Sequence, residues 1–145
     1  MEIYIASDHA GFSYKSLLIQ YIQQKGHTIH DCGAYSEERV NYPEYAYHVC
    51  EAVLQRDNVY GILICGSGIG MSMYANRFKG IRAALCTTEY QSSMTRKHNN
   101  ANILCIGARV TGIDIVYSMV DIFCTTEYEG GRHQIRVHEL DTYKL

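Results

Sequence analysis

Short apolar runs alternate with helix-period stripes along this chain, and that rhythm limits its fold more than any other feature. Ile3-Tyr4-Ile5-Ala6, Thr28-Ile29-His30, Ile62 to Cys65, Ile81 to Leu85 and Ile103 to Ile106 read as five strands. Between them, apolar residues recur every three or four positions. Tyr14, Leu17, Leu18, Tyr21 and Ile22 stripe the first helix, and Ala46, Val49, Cys50 and Val53 the second. Gly26 closes the first helix, and Pro43 suits the opening turn of the second. A helix after Gly70 is expected to run to about Phe78, and a polar one leads to Lys97-His98-Asn99-Asn100. Ile113, Val116, Val120 and Phe123 stripe another, and a last helix carries Arg132, Arg136 and Leu140. Ile62 to Cys65 is apolar on both faces, as a central parallel strand is. Strand–helix alternation of this kind predicts an α/β fold, a parallel sheet with helices on both faces. With one proline and no linker-like run, residues 1–145 are expected to form a single domain.

A net charge of −2 argues against a nucleic-acid footprint. No apolar run reaches the length of a membrane span, and the opening MEIYIAS lacks a signal-peptide pattern. Six cysteines (Cys32, Cys50, Cys65, Cys86, Cys105 and Cys124) contain no C-x-x-C pair and mostly sit in apolar surroundings. Free thiols in a reducing cytoplasm are the expectation, and zinc-ligand spacing is missing, so no metal is expected.

In open parallel sheets, ligands bind beyond the carboxyl ends of the strands. The unusual residues fall there. Asp8-His9 follows the first strand, Cys65-Gly66-Ser67-Gly68 the third and Gly107-Ala108-Arg109 the fifth. Gly66, Gly68 and Gly70 let the backbone turn tightly and come close to a ligand. The N–H groups behind them suit an anion, either a phosphate or an oxyanion formed during a reaction. Cys65 at the mouth of that loop is a filler in the plainer reading. Beside an anion cradle it becomes a base or nucleophile, since the thiolate is the reactive form. A base next to an oxyanion hole is what proton abstraction beside a carbonyl requires. Arg132 and Arg136 lie four apart and share a helix face; with Arg109 they suit a phosphate clamp, whereas alone such a pair is more often a solvated face. His98, among polar neighbours, is either a proton-transfer group or a surface residue. Asp8 is expected near the N-cap of the first helix. His133 and the other histidines show no metal-like arrangement.

SDHAGF, ILICGSGIGMSM, GIRAAL, KHNNANILCIGARV and YEGGRHQIRV occur in this order along nearly the whole chain. In that order and spacing they resemble the B-type ribose-5-phosphate isomerases, a group that also holds the galactose-6-phosphate isomerase subunits. The resemblance implies a three-layer, Rossmann-like α/β/α fold with a five-stranded parallel sheet. It implies interconversion of ribose 5-phosphate and ribulose 5-phosphate, in the pentose phosphate pathway, without metal or organic cofactor. It implies a homodimer or dimer of dimers with the active site at the subunit interface. By the same resemblance Cys65 is the base moving a proton between C2 and C1, Ser67 handles protons on the adjacent oxygens, and Gly66, Ser67, Gly68, Ile69 and Gly70 hold the enediolate. His98 assists ring opening with Asp8 near the ring oxygens. His9, Arg109, Arg132 and Arg136 bind phosphate and Asn99 contacts the sugar. His98, Asn99 and Arg109 are expected to reach in from the neighbouring subunit.

Members of the group that use a glutamate base carry it further along the loop; Met71-Ser72-Met73-Tyr74 offers none. Three positions depart from the pattern: Asn41 and Asn100 stand where Asp is frequent, and Tyr74 where a small residue is usual. Two other readings stand beside this one. The first is isomerisation of a six-carbon sugar phosphate such as allose or galactose 6-phosphate; retention of the GGRH stretch favours the ribose enzyme over the galactose subunits. The second is a nucleotide-binding module using G-x-G-x-G without chemistry, with Glu89 as its acidic residue.

Overall fold

The computed structural model describes residues 1–142. Among them, five strands and six helices follow in the order β1 (Glu2–Ser7), α1 (Phe12–Gln24), β2 (Thr28–Asp31), α2 (Tyr42–Gln55), β3 (Val59–Cys65), α3 (Ile69–Ala75), β4 (Ala83–Leu85), α4 (Glu89–Asn99), β5 (Ile103–Gly107), α5 (Ile113–Thr125) and α6 (His133–Asp141). The strands form one sheet in the order β2-β1-β3-β5-β4, every pair parallel. The three-layer α/β/α architecture is as expected. Three boundaries move by more than one residue: β3 starts earlier, at Val59, β4 loses Ile81 and Arg82, and α3 stops at Ala75.

Side chains alternate across the sheet with the period of two that a pleated strand imposes. Tyr4, Ala6, Leu63, Cys65 and Cys105 face α2 and α3, packing with Val49, Cys50 and Met71. Ile3, Ile5, Ile62, Ile64, Leu104 and Ile106 face the other way, onto Leu18 and Ile22 of α1 and Val116, Met119 and Phe123 of α5. β3 is thus buried on both sides, which is why its sequence is an unbroken apolar run. At the edge, Asn76 pairs with Ala83 of β4 as a strand would, its amide bonding both the N–H and the C=O at 2.9 Å. That side chain occupies groups that would otherwise template pairing.

The order places β1 beside β3 although β2 intervenes in sequence. The chain turns one way after β1 and the other way after β3. A crevice opens where the winding reverses, at the carboxyl ends of these two strands.

Candidate active site

Asp8, immediately after β1, is tied into the crevice by its backbone, whose N–H donates to Ile64 O at 3.1 Å. The helix it precedes begins later than the sequence suggests, because Gly11 is the N-cap of α1. Asp8 instead closes the turn before that cap. Its Oδ1 accepts from Ala10 N at 2.9 Å and Gly11 N at 3.1 Å, and the residue is 7% exposed. A carboxylate so held keeps a fixed direction in the crevice.

Cys65 ends β3 with its side chain on the α2/α3 face. Its Sγ accepts a hydrogen bond from Gly68 N at 3.1 Å. Ser67 Oγ accepts one from Ile69 N at 3.2 Å. The loop therefore already points amides at the two side chains that would handle protons. Gly68 has φ of 78°, and a Cβ there would sit 2.5 Å from Leu85 Cδ1 and 2.9 Å from the Ile106 carbonyl carbon. Only glycine meets both demands. At Gly70 a Cβ would come within 2.6 Å of the Tyr42 ring, so the missing side chain lets that ring close against the loop.

The remaining cysteines behave as core residues. Burial pushes the Cys50, Cys86 and Cys124 thiols up to about 12 and raises those of Cys32 and Cys105. No disulfide is formed among the described residues.

Arg109 follows β5, where its backbone N–H donates to Gly66 O at 3.0 Å. It lines the same cleft, of about 430 Å³, as Asp8, Cys65, Gly66, Ser67 and Gly70. This corrects one expectation: Arg109 belongs to the cleft of its own chain and does not need to reach across from a neighbour. β5 lies directly beside β3, with Gly107 in register with Cys65, so the residues after it fall next to the loop. Tyr42 and Val110 complete the wall, and the linear reading missed both. The only signal for Tyr42 was its place just ahead of Pro43, at the start of a helix whose other partner was unknown. His9 stands beside Asp8, its Nδ1 accepting from Val40 N at 3.3 Å. When neutral it carries its proton on Nε2.

His98, Asn99, Arg132 and Arg136 lie elsewhere. Helix α4 runs back from the carboxyl end of β4 to the amino end of β5. Asn102, just past it, bonds Gly61 near the start of β3 and Arg82 just ahead of β4. Four steps of β5 from Ile103 to Gly107 already cover roughly 13 Å at ~3.3 Å per residue. Within one chain, His98 is thus far beyond reach of Cys65. His98 stacks on His133 with ring centroids 4.3 Å apart and planes 16° from parallel. Glu129 N donates to Lys97 O at 3.1 Å, which brings the segment ahead of α6 against α4. Arg132 is the N-cap of α6 and Arg136 sits one turn on, both exposed beside the His98–His133 stack. His133 is buried, and its imidazole is held below the ordinary histidine value by that burial, then by His98 and Arg132.

The fold also brings together what linear spacing hid. One ligand atom from each of His98, Glu129 and His133 lies within 4.8 Å of the others. In nearly parallel rings the in-plane lone pairs run side by side and do not converge, so the arrangement is a stack and not a preformed chelate.

A thiol and a serine set on a glycine loop at the switch point of a parallel sheet, between a held carboxylate and an arginine, define a class of α/β protein built to handle a small anion. Comparison with known proteins narrows the class. Residues 3–140 match the model of the Ribose/Galactose Isomerase family, and the chain belongs to that family of isomerases. It is 41% identical over 139 residues to ribose-5-phosphate isomerase B of Escherichia coli, covering 96% of this chain and 93% of that one. Among solved structures, ribose 5-phosphate isomerase of Thermotoga maritima superposes with a TM-score of 0.94 at 46% identity, covering 97% of each chain. Ribose-5-phosphate isomerase B of Mycoplasma genitalium, solved with bound ribulose-5-phosphate, superposes at 0.93 with 37% identity, covering 98% of this chain and 95% of that one. Membership in an isomerase family overturns the reading of the glycine loop as a nucleotide module without chemistry.

Proposed function

We propose that this chain is a single-domain aldose–ketose isomerase that interconverts ribose 5-phosphate and ribulose 5-phosphate through an enediolate. The observation that carries the reading is the contact of Cys65 Sγ with Gly68 N at 3.1 Å, inside the cleft between Asp8 and Arg109. Cys65 as thiolate takes the proton from C2 of the open-chain aldose. The electron pair moves onto the carbonyl, giving the enediolate, and the proton returns to C1. Ser67 moves the proton between the two adjacent oxygens. Amides from Gly66 to Gly70 meet the oxyanion; those of Gly68 and Ile69 donate to Sγ and Oγ and so hold the thiolate and the hydroxyl beside it.

The second half of the reading follows from the distance within one chain. His98, Asn99, Arg132 and Arg136 serve the cleft only from a second copy, so the active unit is a homodimer or a dimer of dimers. His98 of one copy opens the furanose held in the cleft of the other, beside the fixed Asp8. Asn99 holds the sugar. His9 and Arg109 from one side, and Arg132 and Arg136 from the other, bind the phosphate. Binding energy at that remote group orients the reacting carbons. No step draws on a metal or organic cofactor, since Cys65 supplies the base and the amides supply the electrophile. Free thiols fit a cytoplasmic setting, and among the described residues no helix is long and apolar enough to cross a membrane.

The test is to incubate the purified protein with ribose 5-phosphate in the presence of chelator and follow ketose formation. Turnover is expected. No ketose from ribose 5-phosphate, together with turnover of allose or galactose 6-phosphate, would replace the pentose substrate with a six-carbon one.

A further inference from the structure

The groups at the amino end of the sheet stand on two separate elements. His98 and Asn99 close α4, whereas Arg132 and Arg136 belong to α6. A sugar phosphate that touches all four requires a fixed offset between the two helices. The structure shows what holds that offset. Asn100, the residue after α4, has φ of 47° and ψ of 43°, a left-handed turn that asparagine tolerates better than most residues. Its carbonyl accepts from Arg82 Nε at 2.9 Å, and its Oδ1 accepts from Arg96 Nη1 at 3.0 Å. Arg82 in turn places Nη1 at 2.9 Å from both carboxylate oxygens of Asp141, the last residue of α6. Arg96 is 5% exposed and also donates from Nε to Thr126 O at 3.3 Å, where the segment leading to Arg132 begins. One asparagine is thus held by two arginines, each of which grips a different end of the α6 segment.

We propose that Arg82, Asn100 and Arg96, closed by Asp141, form a positioning frame that sets the phosphate-binding arginines of α6 at a working distance from His98 and Asn99 of α4. None of the four touches the substrate; they act through the arms they hold. Multidentate guanidinium contacts suit such a task, because they fix direction as well as distance. The frame also accounts for one departure from the family pattern. Asn100 supplies the same acceptor oxygen to Arg96 that a carboxylate there would.

The inference rests on the reading of His98, Arg132 and Arg136 as site residues, and its test keeps the two apart. Four variants of the full chain are compared: Asn100→Gly, Asn100→Asp, Asp141→Ala and, as a control on the arm, Arg136→Ala. Glycine keeps the left-handed backbone and removes only the acceptor. The readouts are kcat/KM for ribose 5-phosphate and the inhibition constant of inorganic phosphate. A free anion can resettle between the arginines of α6 and the facing His9 and Arg109 after a small shift of α6, whereas the sugar phosphate must also reach His98 and Asn99 at the same time. Asn100→Gly and Asp141→Ala are expected to lower kcat/KM roughly 10-fold to 100-fold. Inhibition by phosphate stays within about twofold, and Asn100→Asp stays close to the parent in both. Normal kcat/KM in Asn100→Gly and Asp141→Ala, with Arg136→Ala impaired, overturns the frame and leaves the arm in place. Parallel loss of turnover, phosphate inhibition and melting temperature also overturns it, in favour of a purely structural role. A normal Arg136→Ala removes the arm itself, and the frame falls with it. Should Asp141→Ala not fold, the Asn100 pair decides.

Discussion

The two ends of the sheet hold their candidate site groups in different ways. At the carboxyl end, backbone does most of the work. Asp8, Cys65 and Ser67 each hang directly on a strand or its first turn, and each is oriented by a nearby N–H. At the amino end, side chains do it. Two exposed arginines and a stacked imidazole pair stand on helices tied together by further side chains. The contrast suits the two tasks proposed for them. An oxyanion forming at a reacting carbon needs donors that do not move, whereas a phosphate held by long cations tolerates some play. It is also the ground for proposing that two copies complete one site: the candidate groups sit at opposite ends of the same strands.

The sharpest break in this comparison comes from Cys65→Ala. It should lower kcat by roughly 10³-fold, the scale of a lost general base, while sugar phosphate still binds. Normal turnover in that variant would strip the carboxyl end of its chemistry. Removing a guanidinium at the other end should act differently. Arg132→Ala or Arg136→Ala should raise KM by roughly 10-fold to 100-fold with a smaller change in kcat, since a phosphate contact of ~1.5–3 kcal/mol holds substrate and transition state alike. Steady-state kinetics that show a pure kcat loss would move those arginines into the reaction itself.

A mixing experiment tests whether the two ends meet across copies. Cys65→Ala and Arg132→Ala chains, unfolded together, refolded in equal amounts and assayed well below the parent KM, should show about a quarter of the parent activity, because half the dimers then hold one cleft and one arm that are both intact. No recovery in dimers shown to be mixed would mean that each chain completes its own site. The smallest effect concerns the His98–His133 stack. His133 is held below the ordinary histidine value near ~6.5, so its contribution to stability is full above that value and is lost as pH falls through the lowered one. Denaturant midpoints should therefore drop between pH 7.5 and pH 5.5, and drop less in His133→Asn. An equal drop in both would leave the stack without a part in the pH response.

Much of this architecture was legible from the chain. Ile62 to Cys65 and Ile103 to Ile106 are strands for the reason their composition indicates, burial on both faces. Asp8, Cys65 and Arg109 converge because each follows a parallel strand, which a linear reading can register. The helix boundaries were harder. Asp8 looks like a helix cap but closes the turn ahead of Gly11, since a carboxylate followed by small residues suits either geometry. Tyr42 was invisible because its place in the cleft depends on the gap that Gly70 leaves for its ring.

What the amino-acid sequence determined alone was the layering, the glycine loop and the kinds of group available for chemistry. Those follow from local rules: side-chain period, backbone freedom and the reactivity of a thiol. Only the tertiary structure decided the company each group keeps. It moved Arg109 into the cleft of its own chain and carried His98, Asn99, Arg132 and Arg136 to the far end of the sheet. It also set Asn100 between two arginines that lie 18 and 4 residues away. The physical reason is that strand order and helix direction, which fix distances between remote residues, arise from packing of the whole chain and leave no mark on any short stretch of it.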